Sequence, residues 1–320
     1  MKTFKFILKC ILAVLPVLAV VLYTALVPYG YMDIEYPAWK YTKEVSSDYC
    51  DAETIILGDS RAMADLIPSK FDVPTVNLGV GGATSIEMYY TLKTYIKNNG
   101  CPENIIVMLA PFHYTIIDNF WTRTAYFNYL SVSDMSELYS YASAAESETL
   151  LKKGYENDLL SYRLRFPDKY LPALINARLI RRYNENKMQY MTIASNFGYG
   201  EFGTADGSSD LNYASGYEEM HKTGDAVLLD IYLNKLLKLC EDNGISTVLT
   251  IPPMNEASFN ELKPSYTEDL YYYFKAIEAT HPGITVESDI PVYDNMYFGD
   301  ASHLNHEGAL KFTKEFLSSH

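Results

Sequence analysis

Short apolar runs alternate along this chain with stretches whose apolar residues recur at helical spacing. The first run of the folded part, Thr54-Ile55-Ile56-Leu57, stops at Gly58-Asp59-Ser60, and a helix-like segment follows from Arg61 to Asp65. It reads as a buried strand whose C-terminal end presents a serine at a helix start. Val73 to Gly79 predicts a second strand, broken at Gly79-Val80-Gly81-Gly82-Ala83-Thr84. Ser85 to Asn98 places Ile86, Tyr89, Tyr90, Leu92, Tyr95 and Ile96 at helical spacing and closes at Gly100. A third strand, Ile105 to Leu109, ends at Ala110-Pro111-Phe112-His113. A helix over Asp225 to Asn243 precedes a fourth strand, Ile245 to Ile251, and a helix over Tyr266 to Ala279 precedes a fifth, Gly283 to Glu287. The closing helix is expected from about His306 to Leu317. This alternation predicts an α/β domain with a doubly wound, mostly parallel, five-stranded sheet.

Between about residues 118 and 223 the pattern blurs. Helix-like pieces (Asp134 to Lys152, Leu171 to Asn186) alternate with a Gly- and Ser-rich stretch, Phe197 to Ser215. A connection of this length is expected to be an insertion that serves as a lid or binding surface. At the other end, Lys2, Lys5 and Lys9 precede an apolar stretch from Cys10 to Val27. Residues 1–30 therefore predict a single-pass membrane anchor with its N-terminus in the cytoplasm and the remainder extracytoplasmic. A cleaved signal peptide is the competing reading, and no convincing small-x-small site precedes Pro28. Tyr29, Tyr31, Tyr36 and Trp39 are expected to form an interfacial aromatic belt on a tether over residues 31–47, with the folded domain spanning 48–320.

Composition narrows the partners. A chain of 320 residues with a formal net charge of -14 lacks the clustered cations that nucleic acid requires. The 29 tyrosines supply amphipathic area suited to sugars or protein surfaces, and equally to strands and cores. The six histidines and four cysteines show no metal-ligand spacing, and Gly79-x-Gly81-Gly82 lacks the dinucleotide fingerprint, so neither metal nor cofactor is expected. Cys50 and Cys101 each precede a predicted strand. If those strands are neighbours, an oxidising compartment permits a disulfide between them; otherwise they are unpaired thiols, with Cys10 in the anchor and Cys240 a small helical core residue.

Chemistry is expected where strands end. Asp59 and Ser60 are both favoured helix caps, which is the plain reading of that pair. A serine hydroxyl becomes a useful nucleophile when a histidine takes its proton and a carboxylate orients that histidine. Asp300 and His303 are three residues apart, which on a helix-like turn brings their side chains together. Gly82, lacking a side chain, lets a backbone N–H approach a substrate and complete an oxyanion hole with the Ser60 amide. His306 is expected to cap a helix or lie on the surface.

In order and placement, Gly58-Asp59-Ser60, Asn77-Leu78-Gly79-Val80-Gly81-Gly82-Ala83-Thr84 and Asp300-Ala301-Ser302-His303 resemble the motif blocks of the SGNH, or GDSL, hydrolase superfamily. The resemblance implies a three-layer α/β fold in which Ser60 is nucleophile, His303 base, Asp300 its partner and Gly82 an oxyanion donor. One block departs. Ala110-Pro111-Phe112-His113 stands where the superfamily carries Gly-x-Asn-Asp, so the donor asparagine is absent; His113 either donates in its place or is a packed or surface residue. With the anchor and the His303-Leu304-Asn305-x-x-Gly308 ending, the departure resembles a membrane-anchored branch. That branch includes the D-alanine transfer protein of teichoic acid modification and the alginate O-acetylation proteins. Its members work beside a membrane-bound O-acyltransferase on cell-surface polymers or glycans. Two functions follow as expectations: an extracytoplasmic serine acyltransferase or esterase, or a non-catalytic accessory protein that binds an acyltransferase or a polysaccharide.

Overall fold

The central strands are buried almost throughout, and their successive side chains enter two apolar layers on the two faces of one sheet. The computed structural model describes residues 2–26, 33–117, 119–151, 180–212, 220 and 222–320. In chain order the elements are α1 (Lys2–Leu26), α2 (Tyr36–Ser47), β1 (Thr54–Gly58), α3 (Ser60–Asp65), β2 (Thr75–Asn77), α4 (Ser85–Asn99) and β3 (Asn104–Met108). The insertion supplies α5 (Val132–Ala145), α6 (Glu148–Leu151) and α7 (Ile180–Ser195). Then come α8 (Gly224–Asp242), β4 (Ser246–Thr250), β5 (Met254–Asn255), α9 (Glu256–Asn260), α10 (Pro264–Thr280), β6 (Ile284–Val286), β7 (Val292–Tyr293) and α11 (His306–Ser319).

The protein is α/β, with a five-stranded parallel sheet in the order β2-β1-β3-β4-β6. β5 and β7 form a separate two-stranded parallel pair. Ile55, Leu57, Ile105, Val107 and Leu249 face one layer, built with residues of α4, α8 and α10 such as Leu92, Leu236 and Phe274. Ile56, Ile106 and Met108 face the other, where Ala62 and Leu66 meet Ala309, Phe312 and Phe316 of α11. From β1 the chain passes first to β2 on one side and then to β3 on the other. The C-terminal end of β1 is therefore a topological switch point, where such sheets leave a crevice.

Two expectations change, and one pair of alternatives is decided. Residues 36–47 are not a tether. They form α2, with Pro37 in its first turn, and Trp39 is 1 % exposed. Its indole meets Tyr129 edge-on with centroids 4.9 Å apart, and Tyr36 packs on Phe127 at 5.2 Å, so these aromatics are core and not a membrane belt. Tyr29 and Tyr31 lie outside the described residues. The Cys50–Cys101 disulfide is not formed, although β1 and β3 are neighbours as expected. Cys50 is held on the α4 side, its N–H donating to Asn99 Oδ1, whereas the Cys101 thiol donates to Asn243 beyond the end of α8. Cys240 is buried, and burial pushes its thiol up to about 11. The helix expected over 134–152 is two helices, α5 and α6, separated at Glu146, which adopts the left-handed conformation. Of the helix expected over 171–186, residues 171–179 lie outside the described residues, and α7 carries the remainder on to Ser195.

No helix among the described residues is long and apolar enough to cross a membrane; in α1 the described side chains are those of residues 3–19 and 22. Those apolar side chains, including Phe4, Ile7, Ile11, Leu15 and Leu18, are exposed.

Candidate active site

Five consecutive buried residues bring β1 to its end at Gly58, and the chain turns at once into the six-residue α3. The two readings of Asp59-Ser60 separate onto different residues. Asp59 is the cap, accepting from the Arg61 N–H at 2.8 Å, and Ser60 opens the helix with its hydroxyl turned to His303. The Ser60 Oγ lies 2.8 Å from His303 Nε2. On the far side of the ring, Nδ1 lies 2.9 and 3.0 Å from the two carboxylate oxygens of Asp300. An acceptor at Nδ1 places the proton there, which leaves Nε2 as the lone pair facing the serine.

The histidine is not on a helical turn, nor at the end of a strand of the main sheet. It sits in a tight loop closed by a bridge between Phe298 and Leu304, with the Gly299 N–H donating to the His303 carbonyl at 2.9 Å. Asp300 Oδ1 also accepts the N–H groups of Ser302 and His303, at 2.7 and 2.9 Å, so one carboxylate shapes the loop and orients the ring. Partial burial pushes the Asp300 carboxyl up, but the His303 ring and those two N–H donors outweigh it and hold the pKa down at about 2. The insertion reaches the site through Phe202, stacked on His303 with centroids 4.7 Å apart and planes 17° from parallel. Gly203 and Gly299 come together backbone to backbone with no room for a Cβ on either, which fixes this approach. A cleft of about 480 Å³ opens alongside, lined in part by Glu35, Met63, Ile193, Tyr199, Glu201 and Phe202.

Gly82 belongs to the turn between β2 and α4 and has φ +74°, a conformation that disfavours a side chain. Among the described residues neither the Ser60 N–H nor the Gly82 N–H donates to another protein group. Two residues that the sequence did not single out crowd this glycine. A Cβ at position 82 would stand 2.5 Å from Asn119 Nδ2 and 2.7 Å from the Arg123 guanidinium. Both sit at a single π-helical turn, Phe120–Ala125, a geometry that recurs at functional sites. Buried Glu87 ties that turn to the glycine turn, accepting from Thr124 at 2.6 Å and from both the N–H and the hydroxyl of Thr84. Arg123 also pairs with Glu35 at 3.4 Å; burial raises the Glu35 carboxyl even so.

His113 occupies a different place. It is buried, stacks on Phe112 at 4.1 Å, and points Nε2 at Asp59 Oδ2 from 3.4 Å. Its ring therefore backs the buried capping carboxylate, while Asn119 and Arg123 are the side chains that reach Gly82. Burial pushes Asp59 up, but Arg61, His113 and the N–H groups of Arg61 and Ala110 together hold it below the usual carboxylate range. His306 meets Glu201 at 3.0 Å on the exposed start of α11 and is not part of the Ser60 cluster. Among the described residues no three His, Cys, Asp or Glu side chains gather as metal ligands.

The structure thus unites Ser60, His303 and Asp300 across 243 residues of sequence. Set beside known proteins, the chain matches no family model, no curated protein and no solved structure.

Proposed function

We propose that this protein is a serine acyltransferase or esterase of SGNH type, anchored in the cell membrane by α1 and working outside the cytoplasm. The observation that carries the reading is the hydrogen-bonded line from Ser60 Oγ through the His303 ring to Asp300, at 2.8 and 2.9 Å. In this reading Ser60 Oγ attacks the carbonyl of an acyl donor while His303 Nε2 takes the hydroxyl proton. Asp300 stabilises the imidazolium, and the new oxyanion is met by the N–H groups of Ser60 and Gly82, with Asn119 and Arg123 beside them. The intermediate collapses when His303 returns its proton to the leaving oxygen, giving an acyl-Ser60. A hydroxyl of a cell-surface polymer or glycan, or water, then surrenders its proton to His303 and accepts the acyl group.

The membrane assignment rests on α1. In the sequence Lys2, Lys5 and Lys9 precede the apolar stretch Cys10 to Val27, and the exposed apolar side chains described for α1 are distributed around its circumference. A membrane-bound O-acyltransferase is the proposed partner, supplying acyl groups to the extracytoplasmic site.

The test is fluorophosphonate labelling of the full chain in detergent, read by mass spectrometry. Adduct is expected on Ser60, absent from Ser60→Ala and lost in His303→Ala. Asp300→Asn is expected to slow labelling by about 10⁴-fold, as when a triad loses its orienting carboxylate. A folded wild-type chain that takes no label would overturn the catalytic reading and leave an accessory, polymer-binding role.

A further inference from the structure

The catalytic reading leaves one buried carboxyl unused. Asp65 is the last residue of α3, five positions after Ser60, and is fully buried. Its Oδ1 accepts the N–H of Leu304, the residue directly after His303, at 3.0 Å. Its Oδ2 has no hydrogen-bond partner among the described residues. The Asp65 carbonyl accepts from Thr313 Oγ1 of α11, and the same hydroxyl accepts the Ile67 N–H, so α11 is pinned to this end of α3 as well.

We propose that Asp65 is a positioning residue for the Ser60–His303 couple: its carboxyl clasps the backbone beneath the histidine and sets the imidazole against the serine. The inference rests on the acyl-transfer reading given above. The loop holding His303 has three fixings: Asp300 takes its N–H, Gly299 donates to its carbonyl, and Asp65 takes the next N–H along. The first two lie within the loop itself. The Asp65 bond crosses to the helix that carries Ser60, so it ties the positions of the two reacting side chains to each other.

The chemistry of the site says which form of Asp65 does this. A fully buried carboxylate with a single N–H donor is costly, and burial drives this carboxyl well above the usual range. The charged and titratable groups around it are Arg61 and Asp59 on its own element, Asp300 on the histidine loop, Tyr199 from the insertion and Tyr293 from β7. Arg61 is hydrogen-bonded to Asp59, and its pull on Asp65, like that of the Leu304 N–H, is outweighed by burial. Burial thus favours the uncharged acid, a form that still offers an acceptor to Leu304 without setting a second negative charge near Asp300.

Three variants of the full chain test this by the rate of fluorophosphonate labelling at Ser60 across pH. Asp65→Asn keeps an oxygen in place and is expected to label near the wild-type rate with an unchanged pH profile. Asp65→Leu removes the acceptor and Asp65→Ser shortens it out of reach. Both are expected to label about 100-fold more slowly, the scale of a misplacement near 1 Å, with a displaced pH profile. Asp65→Ser carries the test should the leucine variant fail to fold. A folded Leu or Ser variant that labels like wild type overturns the proposal, and so does an Asn variant as slow as Leu. Failure of wild type itself to label sinks the acyl-transfer reading instead, which keeps the two failures apart.

Discussion

The two ends of α3 carry the same side chain in the same degree of burial and shift its pKa in opposite directions. At the N-terminal end, Asp59 accepts from the Arg61 and Ala110 N–H groups and faces the Arg61 guanidinium and His113, and it is kept ionised. At the C-terminal end, Asp65 receives one N–H, and burial pushes its carboxyl well above the usual range. Burial is common to both. What separates them is the number of donors and whether a cation is directed at the carboxyl. A six-residue helix with Ser60 at its start is thus held by a buried ion pair at one end and by a single N–H clasp at the other.

The largest expected effect comes from breaking the ionised end. Asp59→Leu leaves Arg61 buried without its counter-charge and removes the cap, with an expected loss of about 3–5 kcal/mol in denaturant unfolding. A loss below about 1 kcal/mol would show that Arg61 finds another partner.

Next comes pH, which pulls the two ends in opposite directions. The depressed pKa of Asp59 gives stability that is present above the ordinary aspartate range near 4 and is lost as pH falls through its folded value. The raised pKa of Asp65 works the other way: its contribution is present below that range and is lost as pH rises toward its folded value. Asp65→Asn should therefore gain on wild type as pH climbs from about 4, at a limiting slope near 1.4 kcal/mol per unit. Unfolding curves of both proteins across pH measure this, and parallel curves would mean that Asp65 is ionised in the fold. Asp300, held at about 2, adds to the acid sensitivity of the site between about pH 4 and 2.

The smallest effect is Arg61→Lys, expected to cost about 1 kcal/mol in the same unfolding assay. An ammonium keeps the charge beside Asp59 but loses the planar group that lies over Phe112, 5.1 Å from its ring centroid.

Much of this arrangement was readable beforehand, and the reason is locality. All five strands of the main sheet, the serine at a helix start, the tight glycine turn and the Asp-x-x-His pair are each set by residues adjacent in sequence. Trp39 was misread because an aromatic cluster after an apolar stretch looks the same in a membrane belt and in a packed helix; Phe127 and Tyr129, ninety residues on, decide between them. Asn119 and Arg123 gave no local signal. They reach Gly82 because Glu87 holds Thr84 and Thr124 together, and no spacing rule reports that. A π-helical turn rich in polar residues was the one available hint, and it is visible only in the backbone. Asp65 was invisible for a similar reason: an aspartate near a helix end usually faces water.

Glu35 touches the glycine turn beside Gly81, and α1 ends at Leu26, nine residues earlier. Fully stretched, that much backbone spans about 30 Å. On the proposal that α1 sits in the bilayer, the cleft beside Ser60 is leashed within that distance of the lipid headgroups. Under the acyl-transfer proposal, acyl groups would then be collected at the membrane face, and a polymer would have to come down to the cleft.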